Sequence, residues 1–203
     1  MAKLYFRYGA MGASKTANAI MVAYNYSERG QRAVIVKPAL DTRDEADVIR
    51  SRIGLQAEVV NIGANEDLWM SLLNGDLQPR SANLKKVNEP KLDCIVVDEA
   101  QFLTKKQVVQ LSGIADQFNI PVICYGLRTD FKGELFPGSK ALMAYADSIE
   151  EIKTMCWCGK KATFNARVQG EKVVKEGEQV MIGGNEMYVA LCRLHWATGK
   201  LKD

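Results

Sequence analysis

The run from Gly9 through Ala10, Met11, Gly12, Ala13 and Ser14 to Lys15 and Thr16 has the spacing of a phosphate cradle. In such a turn the backbone N–H groups ring the anion, the lysine ammonium reaches the outer phosphates of a nucleoside triphosphate, and the hydroxyl joins the coordination of Mg²⁺. One position departs from the usual G-x-x-x-x-G-K-[ST] pattern: Ser14 stands where the second glycine belongs. Glycine suits a loop that takes positive φ or lets a phosphate approach closely. Serine there carries some strain, but its hydroxyl suits a helix N-cap.

A second set of chemical groups follows the apolar stretch Ile95-Val96-Val97, which ends in Asp98-Glu99-Ala100-Gln101. An aspartate at the end of a buried strand is the usual Mg²⁺-holding partner of a phosphate loop. Adjacent side chains at a strand end point to different sides. Asp98 can therefore serve the metal's water shell while Glu99 faces an acceptor and takes its proton. The acceptor is either an attacking water, as in an ATPase, or a substrate hydroxyl, as in a kinase.

The third set is Cys156-x-Cys158 with Cys192-x-x-His195, which includes the single histidine of the chain. Zinc favours four S/N ligands in a tetrahedron, although Cys-x-Cys is shorter than the common C-x₂₋₄-C spacing. In a reducing compartment, clustered thiols point to metal rather than to disulfides. With four protein ligands there is no open position, so the role is structural. Cys94 and Cys124 lie within strand-like runs and read as buried apolar cysteines.

These groups need a frame. Apolar bursts at Leu4–Phe6, Arg32–Val36, Ala57–Ile62, Leu92–Val97 and Ile120–Tyr125 read as strands. Helix-period segments separate them: one from about Lys15 to Glu28, stopped by Gly30, and one from an N-cap at Thr104 to about Phe118. Strands alternating with helices imply crossover connections and a mostly parallel sheet covered on both faces. The expected class is therefore α/β, a P-loop NTPase-type sheet with flanking helices. Residues 1–150 form this nucleotide-binding domain, and residues 151–203, rich in cysteine and glycine, form a small zinc-ribbon domain. The polar segment Gln78–Lys91 reads as a surface loop.

Composition limits the partners. With 203 residues and a net charge of +3, the chain offers no strong field for nucleic acid or an anionic membrane. There is no signal-peptide pattern and no apolar run near the ~20 residues that span a bilayer. The expectation is a cytoplasmic protein without a membrane partner.

The chain resembles the cytosolic thymidine kinase family of bacteria and animals. The resemblance rests on the joint order of Tyr24-Asn25-Tyr26, Asp41-Thr42-Arg43, Asp98-Glu99-Ala100-Gln101-Phe102 and Tyr125-Gly126-Leu127-Arg128-Thr129-Asp130-Phe131. It continues through Gly133-Glu134-Leu135-Phe136, Cys156-Trp157-Cys158-Gly159, Gly183-Gly184-Asn185-Glu186-Met187-Tyr188 and Cys192-Arg193-Leu194-His195. It implies transfer of the γ-phosphate of Mg-ATP to the 5′-hydroxyl of thymidine, with Glu99 as catalytic base. Gly9 to Thr16 and Asp98 to Gln101 match the family's ATP-binding segments, and Asp41 and Arg43 match a loop near the phosphates.

A glycine-rich lasso from about Phe164 to Tyr188 would hold the thymine, with Gln179, Val180, Met181, Ile182 and Gly183 along the base. Tyr188 and Phe131 match aromatics beside the nucleoside, and Met11 and Leu127 match the walls around the thymine methyl. The resemblance also supports zinc on the Cys156, Cys158, Cys192 and His195 set, and it implies a homotetramer. Two other readings share the same motifs: a P-loop ATPase whose zinc module binds nucleic acid, and a non-catalytic nucleotide-binding regulator. Against the first, no basic stripe interleaved with aromatics surrounds the cysteine cluster.

Overall fold

In the computed structural model, which describes residues 1–39, 47–77, 92–179 and 187–202, the five apolar bursts and one further, largely polar segment at Ser148–Glu151 build one six-stranded sheet. Its strands are β1 (Leu4–Tyr8), β2 (Ala33–Pro38), β5 (Val60–Ile62), β6 (Cys94–Val97), β7 (Val122–Gly126) and β8 (Ser148–Glu151). They lie in the order β5-β2-β6-β7-β1-β8, and every pairing is parallel. The period-2 alternation of side chains splits these strands between two cores. Leu4, Phe6, Val34, Val36, Ile95, Val97, Val122 and Cys124 face one. Ile35, Cys94, Val96, Ile123 and Tyr125 face the other.

Helices cover both faces. On the first, α3 (Lys105–Phe118) contributes Val108, Leu111 and Ile114, and α4 (Pro137–Tyr145) contributes Ala141 and Leu142; α2 (Leu68–Leu73) adds Leu68. On the second, α1 (Lys15–Ser27) contributes Ala19 and Ile20. Thr104 caps α3 as its sequence suggests. Its hydroxyl accepts from the Gln107 N–H at 3.2 Å, while the Gln107 side chain accepts from the Thr104 N–H at 3.0 Å.

The run at Ala57–Ile62 is not one strand. Residues Gln56–Glu58 form β4, which pairs antiparallel with β3 (Val48–Arg50), and only β5 joins the main sheet. Val59, between them, turns into the second core and donates its N–H to the Asp47 carbonyl. A continuous apolar run records burial, but not which partner strand each half finds.

After β8 the pattern changes. A short hairpin of β9 (Thr154–Met155) and β10 (Lys161–Ala162) precedes an antiparallel three-stranded sheet, order β12-β11-β13. This sheet comprises β11 (Phe164–Gln169), β12 (Lys172–Val174) and β13 (Tyr188–Leu191), and α5 (Arg193–Thr198) follows it. Residues 164–174, expected at the start of a loop, are thus a paired β-hairpin. A small core of Cys156, Ala162, Ala166, Leu191 and Cys192 holds this region together. The expected surface loop at Gln78–Lys91 lies outside the described residues.

Candidate active site

The C-terminal edge of a parallel sheet gathers the loops that follow its strands. Gly9 leaves β1 and donates its N–H to the Gly126 carbonyl at the end of β7, 3.2 Å away. A Cβ at Gly9 would stand 2.4 Å from the Ile152 carbonyl oxygen, so this position admits only glycine. Ala10 and Ala13 are buried, while Gly12 and Ser14 are exposed at the rim of the loop.

Ser14 has φ 55° and ψ 29°, the left-handed conformation that the consensus glycine would adopt without strain. Its side chain makes no capping bond to α1, so the expected N-cap role of the hydroxyl is not met. In αL geometry the Oγ does not reach the helix's free N–H groups as an extended N-cap residue would. Lys15 Nζ donates to the Gly9 and Ala10 carbonyls at 3.0 Å each, which keeps the ammonium at the mouth of the loop. The Thr16 hydroxyl donates to Asp98 Oδ2 at 2.9 Å.

Asp98 is 3% exposed. Burial pushes its carboxyl up to about 7 and the neighbouring Glu99 charge adds to this, while the Thr16 hydroxyl opposes it. Glu99 adopts φ 52° and ψ 37°, a strained turn for a side chain of its size. The two carboxylates do part company, as expected: Asp98 meets Thr16, and Glu99 accepts a hydrogen bond from the Gln101 amide.

Gln101 is itself buried, and its Oε1 accepts the Leu127 N–H at 3.0 Å, which fixes the amide so that Nε2 points at Glu99. Gly126 makes room for this arrangement, because a Cβ there would lie 2.8 Å from Gln101 Oε1. Ala100 is fully buried. The side chains of Ala100 and Gln101 thus serve the interior.

A second group of candidate residues converges through a residue that sequence reasoning missed. Arg167, 4% exposed on β11, lies 3.7 Å from the centroid of the Phe131 ring. It donates from Nε and Nη2 to the Tyr188 hydroxyl at 3.0 and 2.8 Å. Asn165, two residues earlier, accepts the Met11 N–H at 2.7 Å.

Asp130 is a third buried polar group here, accepting the Lys132 and Glu134 N–H groups on Oδ1 and the Gln179 amide on Oδ2. Leu127 is held by Gln101 on its N–H and by the Ser139 hydroxyl on its carbonyl, at 2.6 Å. Met11, Phe131, Tyr188 and Gln179 are therefore tied into the same neighbourhood. Asp41, Arg43, Val180, Met181, Ile182 and Gly183 lie outside the described residues. Polar residues at alternate positions of a β-forming run were the available signal for Asn165 and Arg167.

The third constellation also assembles. The ligand atoms of Cys156, Cys158, Cys192 and His195 all lie within 4.8 Å of one another. Cys156 Sγ is 3.4 Å from His195 Nδ1, and Cys158 Sγ is 4.0 Å from Cys192 Sγ. Those separations suit the edges of a tetrahedron with zinc–ligand bonds of about 2.0–2.3 Å.

A tight turn supplies one pair, with the Cys156 N–H on the Lys160 carbonyl and the Gly159 N–H on the Cys156 carbonyl. The start of α5 supplies the other pair. Desolvation raises the Cys156 thiol, but the Cys158 and Cys192 N–H groups and the His195 ring outweigh it and bring it down to about 6. A thiol that ionises near neutral pH is suited to binding metal. The set can hold zinc, and Trp157 stacks on His195 at 4.3 Å to fix the ring. Cys94 and Cys124 are buried in β6 and β7 as expected, and burial raises both thiols.

The family model described as thymidine kinase matches residues 2–196 of the chain. The chain belongs to the thymidine kinase family. It is 49% identical over 201 residues to the thymidine kinase of Legionella pneumophila (strain Lens), covering 98% of this chain and 91% of the relative. It is 47% identical over 197 residues to that of Zymomonas mobilis, covering 97% and 96%. With that of Mannheimia succiniciproducens it shares 46% identity over the full length of both.

Proposed function

We propose that this chain is a thymidine kinase that transfers the γ-phosphate of ATP to the 5′-hydroxyl of thymidine, giving thymidine monophosphate and ADP. The observation that carries the reading is Glu99, held by the buried Gln101 amide on a strained turn beside the Thr16–Asp98 pair. On this reading that carboxylate serves the acceptor hydroxyl, and Asp98 serves the metal.

On this reading Gly9 to Thr16 bind the triphosphate through the loop's N–H groups, and Lys15 turns its ammonium from loop carbonyls to phosphate oxygens. Thr16 and Asp98 fit a Mg²⁺ ion, since a buried carboxylate and a hydroxyl already in contact form an oxygen donor set. Bound there, the ion would neutralise charge developing on the phosphates. Glu99 takes the proton from the 5′-hydroxyl as its oxygen attacks the γ-phosphorus. Asp41 and Arg43 act near the phosphates. Met11, Leu127, Phe131, Tyr188 and the segment Gln179–Gly183 enclose the nucleoside, with main-chain groups reading the pyrimidine.

Residues 1–150 then form the donor domain, and residues 151–203 form the zinc-bearing acceptor domain. The zinc is structural, because the four protein ligands complete its shell. The protein works in the cytoplasm as a homotetramer, without a nucleic-acid or membrane partner. Among the described residues, no helix is long and apolar enough to cross a membrane.

The test is the formation of thymidine monophosphate from thymidine and Mg-ATP by the purified protein. Glu99→Gln should lower the rate by about 10²- to 10⁴-fold, the range for loss of a general base, and leave ATP binding intact. ATP hydrolysis without nucleoside phosphorylation would overturn the reading.

A further inference from the structure

Strand β11 sorts its side chains by alternation. Ala166 enters the small core around the cysteine cluster, and Phe164 stacks on Trp196 at 4.3 Å. Asn165 and Arg167 therefore point the other way, out of that core. Both are 4% exposed, and both side chains are used on elements distant in sequence. Asn165 Oδ1 takes the Met11 N–H of the phosphate loop at 2.7 Å. Arg167 grips the Tyr188 hydroxyl, directly across the strand pair, and covers the Phe131 ring.

Among the described residues no carboxylate lies within salt-bridge distance of the Arg167 guanidinium. Burying such a cation against a phenol and a ring face costs free energy that a neutral side chain would avoid. A surface strand under no constraint from the site would carry neither residue in these places.

We propose that Asn165 and Arg167 are a pair of positioning residues through which β11 couples the phosphoryl-donor loop to the nucleoside pocket. The inference rests on the function proposed above. When a nucleoside packs against Tyr188 and Phe131 it acts on Arg167, and the strand passes the constraint two residues along to Asn165 and the Met11 N–H. That amide belongs to the loop that would ring the triphosphate, so occupancy of one site orders the other. By reciprocity each ligand tightens the other by the same factor. Registering the 5′-hydroxyl against the γ-phosphate is what such coupling achieves, since small misplacements slow transfer strongly.

The experiment uses the full chain with its metal content verified. Titration of a non-hydrolysable Mg-ATP analogue with and without saturating thymidine should show at least five-fold tightening in the wild type. In Asn165→Ala, each ligand alone should bind within about three-fold of its wild-type affinity while the coupling falls below two-fold. In Arg167→Lys, thymidine binding should weaken ten-fold or more with the analogue unaffected, because an ammonium does not reproduce the planar fork or the stacking.

A wild-type measurement guards against variants that fail to fold. Thymidine alone should slow hydrogen exchange at the Met11 amide at least five-fold. Absence of wild-type coupling, unchanged coupling in Asn165→Ala, or unchanged Met11 exchange would each overturn the proposal. If the wild type phosphorylates thymidine but shows one of these results, only the coupling fails. If it does not phosphorylate thymidine, the proposed function fails instead.

Discussion

Among the described residues three non-glycine positions have positive φ, and two of them, Ser14 and Glu99, belong to the candidate phosphate-binding segments. The third, Asn119, ends α3 in a way asparagine tolerates. Ser14 carries the strain without a compensating side-chain bond. Relieving a left-handed residue gains about 1–2 kcal/mol, and the added freedom of glycine in the unfolded chain takes back about 0.4–1 kcal/mol. Ser14→Gly should therefore raise stability by about 0.8 kcal/mol in urea unfolding, with kinase activity equal or higher. A collapse of activity would assign the Ser14 hydroxyl a role in the reaction.

Asp98 carries the opposite kind of cost. Its carboxyl titrates near 7 in the fold and near 3.8 when exposed, so the folded state holds a proton that the unfolded chain releases. The stability contribution is complete below about pH 4 and is lost as pH rises toward 7. Measured without metal, Asp98→Asn should gain stability relative to the wild type between pH 4 and 7. A difference that stays flat across that window would contradict the assignment.

At the scale of elements, legibility followed how local the signal was. The cap at Thr104, the stop near Gly30 and the β1–loop–α1 unit are written in adjacent residues, and each was readable. The two-core division of the sheet follows from alternation alone in Val34-Ile35-Val36 and Cys94-Ile95-Val96-Val97. The run Ala57–Ile62 divides where its apolar pattern shows one strand, because pairing is decided by partners far away, here Val48–Arg50 and Val36–Pro38.

The same reason hid half of the candidate site. Lys15, Thr16, Asp98 and Glu99 announce themselves through motif and spacing. Asn165 and Arg167 take their roles from Met11, Phe131 and Tyr188, which only the fold brings near. Gln101 lies in the legible motif, yet its work as the brace for Glu99 depends on the Leu127 N–H and on the space left by Gly126. Chemistry was legible where one segment carries it, and support was not, because support is shared between segments.

For the whole molecule, the decisive question is what keeps β11 in place. The core beneath it consists of Cys156, Ala162, Ala166, Leu191 and Cys192, with a few partly buried neighbours. So small an apolar core supplies little net stability by itself. A structural zinc, by contrast, contributes about 10–16 kcal/mol in small zinc domains. The main sheet has its own two cores and does not depend on the metal. On the proposed zinc reading, emptying the Cys156, Cys158, Cys192 and His195 set should thus divide the molecule's functions.

Chelation, or Cys158→Ser, should lower the metal content and loosen the strand that carries Asn165 and Arg167. Thymidine binding and phosphorylation should fall by at least ten-fold, while the Mg-ATP analogue still binds within a few-fold. Metal analysis, the two titrations and a melting curve, in which the small region loosens before the main sheet, check this together. If metal content falls and thymidine binding does not, the cysteine cluster has no hold on β11. If metal content is unchanged in Cys158→Ser, that residue is not a ligand.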